Sequence, residues 1–103
     1  MYVVVWQFRV RPEWTSEFER IYGAEGDWAQ LFSRSAGFIR TDLWRDPNEL
    51  GNYFTADYWK EAGDYDACLR QHVGDYMRLD KECTPLTLSE ERIGAYELVL
   101  KKH

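Results

Sequence analysis

The sequence predicts an α+β fold of the ferredoxin-like βαββαβ type, in which a four-stranded antiparallel sheet carries its helices on one face. The first indication is the order of its segments: strand, helix, strand, strand, helix, strand. The second is length, because 103 residues suffice for one domain, residues 1–103, with a modest core. The third is that the predicted strands carry apolar side chains on both faces.

The first predicted strand is Tyr2–Val10, where β-branched and aromatic residues dominate and no breaker interrupts. Pro12 ends it, and an amphipathic helix follows. The apolar face of that helix consists of Trp14, Phe18, Ile21 and Tyr22. A second short helix is predicted to begin at Asp27 and to stop at Gly37. Its apolar side consists of Trp28, Leu31 and Phe32.

Two further strands form a predicted hairpin. Phe38–Arg45 and Tyr53–Trp59 alternate side chains between two faces, and residues 46–52 between them are rich in turn formers. The side chains of Tyr53–Trp59 divide into Tyr53, Thr55, Asp57 and Trp59 on one face and Phe54, Ala56 and Tyr58 on the other.

A long helix is predicted from about Glu61 to Cys83, with Gly74 as a point where it kinks or splits. Residues at alternating spacings of four and three place one apolar stripe along it. The stripe consists of Tyr65, Leu69, His72, Tyr76, Leu79 and Cys83. Thr84-Pro85 ends the helix, and Arg92–Leu100 is the last predicted strand.

The two-faced strands predict a homodimer. Helices on one side leave the opposite face of a four-stranded sheet in water. Because that face also carries apolar and aromatic residues, it has the composition of an interface. The sheet of a second copy, related by twofold symmetry, would cover it.

Composition excludes several classes of partner. The net charge is −5, and the longest basic cluster is the terminal pair Lys101-Lys102, so neither nucleic acid nor a membrane is expected as a partner. The uncharged run Met1–Trp6 is too short to cross a bilayer, and a cytoplasmic location is the expectation. Cys68 and Cys83, fifteen residues apart on one helical region, are expected to be buried free thiols.

Four stretches carry a family resemblance that covers essentially the whole chain. These are Tyr2–Pro12, Glu17–Tyr22, Gly37–Asp46 and Tyr53–Trp59. They resemble the antibiotic biosynthesis monooxygenase (ABM) family. The resemblance implies a dimeric α+β barrel built from two ferredoxin-like protomers, each with a pocket between sheet and helices. It also implies chemistry as varied as cofactor-independent oxygenation of aromatic phenols, haem degradation and isomerisation.

The haem-degrading branch of that family is a poor match. Its members place an Asn on the first strand, a Trp in the second helix and a His further along that helix. Here the first strand offers Gln7 or Trp6, the second helix contains no Trp, since Trp59 precedes it, and His72 falls too early.

His72 and Tyr76 are the candidate catalytic residues. A neutral imidazole could take the phenolic proton of an aromatic substrate and leave an anion that reacts with O₂, and Tyr76 lies one turn on. A histidine on an apolar stripe is also typical of a core residue with satisfied hydrogen bonds. Both interpretations stay open.

The candidate substrate-binding residues are those expected to line an aromatic pocket or to offer it a polar group. They are Gln7, Trp28, Tyr58, Trp59, Tyr65 and Leu69. For the aromatics, together with Trp44, packing in the core or dimer interface is the competing interpretation, and the Gln7 amide could equally be satisfied inside the sheet.

No metal or cofactor is predicted. The acidic residues Asp57, Glu61, Asp64 and Asp66 lack histidine or cysteine at ligand spacing, and no phosphate loop or dinucleotide motif occurs. The ABM resemblance, together with the His72/Tyr76 stripe, implies the leading hypothesis, a cofactor-independent monooxygenase acting on a small phenolic or quinol-like aromatic. The alternatives are a non-catalytic module that binds a small hydrophobic ligand and a small-molecule isomerase.

Overall fold

The computed structural model of the protein describes residues 1–100, so Lys101-Lys102 lies outside the described residues. Within them the strands are β1 (Tyr2–Val10), β2 (Phe38–Arg45), β3 (Asn52–Trp59) and β4 (Thr87–Glu97). The helices are α1 (Thr15–Tyr22), α2 (Asp27–Phe32), α3 (Ala62–Gln71) and α4 (Val73–Cys83), with short 3₁₀ turns at Pro12–Trp14 and Thr84–Leu86. The sheet of the described chain is antiparallel with the order β2-β3-β1-β4, which confirms the ferredoxin-like prediction.

The register of the sheet separates two faces. Alternate residues of β1 and β3 that pack under the helices form what we call the covered face, and the residues between them form the open face. The covered face includes Tyr2, Val4, Trp6, Phe8, Tyr53, Thr55, Asp57 and Trp59. The open face includes Val3, Val5, Gln7, Phe54, Ala56 and Tyr58.

The core lies between the covered face and the helices, and aromatic rings fill most of it. Phe18 stacks on Tyr22 with ring centroids 4.2 Å apart, and Trp59 meets Phe32 and Phe38 edge-on at 5.4 and 5.1 Å. Edge-to-face and offset contacts of this kind are the favoured geometries of aromatic pairs. Cys68 and Cys83 are both buried and free, as predicted.

Three predicted boundaries are wrong. Helix α2 ends at Phe32, before the predicted stop at Gly37. The long helix breaks at His72, whose non-helical φ of −120° separates α3 from α4, and not at Gly74. Strand β4 runs from Thr87 to Glu97 instead of from Arg92 to Leu100. Its polar first half lacks a strand pattern, but pairing with β1 satisfies the backbone there, and two register shifts absorb the irregular spacing.

Helix α3 begins at a tight junction with the sheet. Glu61 and Asp64 form a capping box at its first turn, and each side chain meets the backbone N–H of the other residue. Gly37, in the turn before β2, lies against Asp64, where an added Cβ would approach the Asp64 Cγ to 2.1 Å. The absence of a side chain at Gly37 therefore allows α3 to approach the sheet this closely.

No helix within residues 1–100 is long and apolar enough to cross a membrane.

Candidate active site

A cleft opens between the covered face and helices α2 and α4. Each of the four strands and the helices α1, α2 and α4 contributes to its wall, which consists of Trp6, Phe8, Tyr22, Trp28, Phe32, Thr41, Thr55, Asp57, Tyr76, Asp80 and Glu90. The enclosed part of the cleft is about 50 Å³, and the space reaches about 460 Å³ when it is counted out to the open mouth. The small enclosed part suits a single ring better than a polycycle.

Asp57 is the buried titratable group of this cleft. Asp57 is only 8% exposed, and its Oδ1 accepts a hydrogen bond of 2.6 Å from the Thr41 hydroxyl. Burial raises the pKa of Asp57 to about 6, and the Thr41 hydrogen bond opposes that rise. A carboxyl group with this pKa can both accept and return a proton near neutral pH.

The position of Asp57 follows from strand periodicity. Asp57 alternates with Thr55 and Trp59 on the covered face of β3, so it points under the helices. Its neighbours across the sheet are Val4 of β1 and Thr41 of β2. Three adjacent strands thus hold the carboxyl group, and Thr41 is the neighbour that can donate a hydrogen bond to it.

The upper wall of the cleft is aromatic. Trp28 of α2 meets Tyr76 of α4 in a T-shaped contact with centroids 5.1 Å apart, and Tyr22 of α1 lies 6.0 Å from Trp28. The Trp28 indole Nε1 is buried and makes no hydrogen bond of standard geometry within residues 1–100, although it lies near enough to the Tyr22 hydroxyl and the Cys83 thiol to lower the pKa of both groups. It can therefore donate to these neighbours or to an oxygen atom of a bound ligand.

Both tyrosines of the cleft stay protonated at neutral pH. Burial raises the pKa of Tyr76 to about 12, and the nearby Tyr65, Asp80, Glu90 and Asp57 add smaller contributions in the same direction. Burial likewise raises the pKa of Tyr22. Their hydroxyl groups can donate hydrogen bonds to a ligand, but they are poor bases.

Two further acids lie at the mouth of the cleft. Asp80 projects from α4, and Glu90 lies beside Phe8 in the register of β4 with β1. Burial raises the pKa of Glu90, and the charge of Asp80 raises it further. The cleft therefore combines aromatic walls with three carboxyl groups.

The structure brings only some of the predicted site residues to the cleft. Tyr76 and Trp28 line it. His72 lies at the junction of α3 and α4, is half-buried, and is not among the lining residues. Its predicted role as a base stays a prediction.

The other predicted residues are not among those that line the cleft. Trp59 is fully buried in the core, where Tyr65 packs on it at 5.6 Å, and Leu69 is half-buried on α3. Gln7 and Tyr58 are on the open face. The Gln7 amide donates to Asn52 Oδ1 at 2.8 Å, and the Arg40 guanidinium lies 4.4 Å above the Tyr58 ring.

Sequence reasoning missed Asp57 and its partner Thr41. The available signal was the period of two in β3, which puts Asp57 on one face with Trp59. Grouping Asp57 with the solvated acids at the start of α3 obscured that signal. Glu90 and Asp80 carried no pattern that marks them, because the pairing of β4 and the angle of α4 decide their positions.

The model of one family, antibiotic biosynthesis monooxygenase, matches residues 1–73. The chain belongs to this family. The matched region contains β1, β2, β3 and α3, so it includes Asp57, Thr41 and His72. Comparison with curated protein sequences gives no significant match.

Solved ABM structures share the fold over nearly the whole chain. SnoaB from Streptomyces nogalater, a cofactor-independent oxygenase, is 21% identical, with coverage of 97% of this chain and 94% of that one and a TM-score of 0.71. A protein assigned as an ABM from Deinococcus radiodurans is 13% identical, with coverage of 100% and 97% and a TM-score of 0.78. One from Nitrosomonas europaea is 15% identical, with coverage of 97% and 100% and a TM-score of 0.71.

Residues 1–100 contain no cluster of three or more His, Cys, Asp or Glu side chains arranged to hold a metal ion.

Proposed function

We propose that the ABM protein oxygenates a small phenolic or quinol-like aromatic in this cleft without a cofactor, with Asp57 as the proton acceptor. The observation that carries the proposal is the buried Asp57–Thr41 pair beneath an aromatic wall. Family membership and the fold shared with a cofactor-independent oxygenase support the reaction class.

The reaction requires a base and an electron-rich substrate. For a quinol, ionised Asp57 takes a phenolic proton, and the resulting anion transfers electrons to O₂ and forms a ring carbon–oxygen bond. Cleavage of the O–O bond then releases water, while the ring becomes a hydroxyquinone. The sum is C₆H₆O₂ + O₂ → C₆H₄O₃ + H₂O, so the quinol supplies all four electrons and no external reductant enters.

The neighbouring groups fit supporting roles. The Thr41 hydroxyl fixes Asp57 Oδ1 and leaves Oδ2 without a hydrogen-bond partner among residues 1–100. The protonated Tyr76 hydroxyl is available to orient a ligand oxygen. The T-shaped pair of Trp28 and Tyr76 gives the cleft an aromatic wall against which the ring of a substrate can pack.

The deciding experiment compares two variants, Asp57→Asn and His72→Ala. Oxygen uptake with methylhydroquinone is followed by electrode, corrected for autoxidation without protein, and incorporation of one ¹⁸O atom from ¹⁸O₂ is measured by mass spectrometry. We expect Asp57→Asn to lower kcat/KM by about 10² to 10⁴, the usual contribution of a general base. The rate of the wild type should rise as pH increases through about 6, because the ionised carboxylate is the active form.

Each alternative has a distinct outcome. If His72→Ala abolishes oxygen uptake while Asp57→Asn leaves it intact, the base is His72 and our assignment is wrong. Activity that persists without O₂ would indicate an isomerase, for which the pKa of Asp57 is equally suited. Binding of the quinol without any turnover would indicate a non-catalytic binding module.

We also propose that two copies pair through their open faces. In the isolated chain this face carries Trp44 at 58% exposure and Tyr96 at 51%, beside half-buried Val3, Val5, Phe54 and Tyr58. Exposed apolar surface of this kind is typical of an interface. Sedimentation equilibrium at micromolar concentration tests the proposal, and a monomer at those concentrations would overturn it.

A further inference from the structure

We propose that the ligand of the cleft carries a positively charged amino group next to its aromatic ring. This inference rests on the proposed function, since it assigns a substrate class to the same cleft. The geometry that carries it is an aromatic wall that faces three carboxyl groups, with no cation among the lining residues.

The carboxyl groups of the cleft lack counter-ions. None of Asp57, Asp80 and Glu90 forms an ion pair within residues 1–100, although ion pairs occur elsewhere on the surface. The influences on Asp57 are burial and the Thr41 hydroxyl, and no cation is among them. Those on Glu90 are burial and the like charge of Asp80.

Arg92 is the basic side chain of β4 that is paired with a residue of the cleft wall. It pairs with Trp6 in the register of β4, which places it on the covered face. Its charge acts on the Tyr65 hydroxyl, and it neither lines the cleft nor contributes to the pKa of Asp57 or Glu90. Within residues 1–100, then, no basic side chain lines the cleft or forms an ion pair with its three acids, and Arg92 is the cation beside its wall.

Because the cleft carries three carboxyl groups and no lining cation, the charge of a ligand should determine how tightly it binds. An anionic aromatic would be repelled by the acids, and a neutral one would leave their charge uncompensated. An ammonium group gains attraction from the acids and from the faces of Trp6, Trp28 and Tyr76, because the π-system of an aromatic face attracts cations. The small inner volume limits the rest of the ligand to about one ring.

Three para-substituted phenols of similar size and different charge test the inference. They are 4-(2-aminoethyl)phenol, 4-ethylphenol and 3-(4-hydroxyphenyl)propionate, which at pH 8 are cationic, neutral and anionic. Calorimetric titration at low salt should give an affinity for the cation at least about tenfold above that of the neutral phenol, with the anion weakest. The preference should shrink at pH 5, where Asp57 takes up a proton, and in high salt.

A matched pair of double variants locates the effect. Asp80→Asn with Glu90→Gln removes two charges at the cleft and should reduce the ratio of cation to neutral affinity towards one. Glu82→Gln with Glu91→Gln removes two charges from the same helix and strand but away from the cleft, because Glu91 faces the open side opposite Gln7 and Glu82 borders a separate depression. This control should retain the ratio.

The outcomes separate the two proposals. Equal affinity for the cationic and neutral phenols in the wild type would overturn the charge preference and leave the proposed function standing. Equal loss in both double variants would show a general effect of net charge and would also overturn it. If none of the three phenols binds at millimolar concentration, the cleft is not an aromatic site and the proposed function fails with it.

Discussion

The two faces of the sheet differ in how they use the same kinds of residue. On the covered face aromatic rings pack against one another and against α1, α2 and α4, and they surround a carboxyl group that lacks a cation. On the open face aromatic rings lie among ion pairs and amides, such as Tyr58 beneath Arg40 and Gln7 bonded to Asn52. An aromatic-rich composition therefore does not identify a candidate site, whereas a buried carboxyl group with a raised pKa beside a cleft does.

The largest expected difference concerns two tryptophans. Trp59→Ala on the covered face should lower the free energy of unfolding by about 3–5 kcal/mol, because it leaves a cavity where a fully buried ring had packed. Trp44→Ala on the open face should cost less than about 1 kcal/mol at low protein concentration, since that ring is 58% exposed. Urea titrations at two protein concentrations measure both, and equal losses would remove the distinction between the faces.

The next effect is the pH dependence of stability at Asp57. Its pKa in the folded chain, about 6, is above the unfolded value of about 3.9, so the protonated form favours folding. The contribution of Asp57 to the free energy of unfolding is largest below about pH 4 and is lost as pH rises through about 6. Asp57→Asn should therefore stabilise the fold by about 3 kcal/mol at pH 8 and by nearly nothing at pH 4.

Thr41→Val sharpens that test. The Thr41 hydrogen bond lowers the pKa of Asp57, so its removal should move the pH range of the stability loss upward. Urea unfolding from pH 4 to 9 gives both curves. A constant difference between wild type and Asp57→Asn across this range would contradict the raised pKa.

The smallest of the three effects concerns the open face. Tyr58→Glu should weaken the proposed dimer by about tenfold or more, because it buries a charge within an apolar interface. Trp14→Glu is the control, since Trp14 is 42% exposed on the turn before α1 and belongs to neither face. Sedimentation equilibrium reports both, and equal weakening by the two variants would place the interface elsewhere.

Sequence patterns predicted the elements better than the site. Strands β1 and β2 match their predicted bounds, because local alternation and breakers define them. Strand β4 was misplaced because its first half is a strand only through pairing with β1, a contact that no local pattern records. The break at His72 was likewise missed in favour of Gly74, since propensity marks where a helix is weak and not where packing bends it.

The candidate site depended on a fact that periodicity cannot supply, namely which face of each strand meets the helices. Asp57 and Tyr58 are adjacent in sequence but lie on opposite faces of the sheet. Their pairing with Val4 and Val3 of β1 shows that Asp57 is on the covered face and Tyr58 on the open face. Tyr76 and Trp28 were predicted as site residues from their helical stripes, and both line the cleft. Thr41 and Glu90 reach it only through strand pairing.

Gly37 affects how closely helix α3 can approach the sheet. Because an added Cβ would overlap the Asp64 side chain, any larger residue there must displace the first turn of α3. Helix α3 leads through His72 into α4, which carries Tyr76 and Asp80. The lack of a side chain at Gly37, in a turn outside the cleft, therefore helps to set the position of α4, which forms one wall of the cleft.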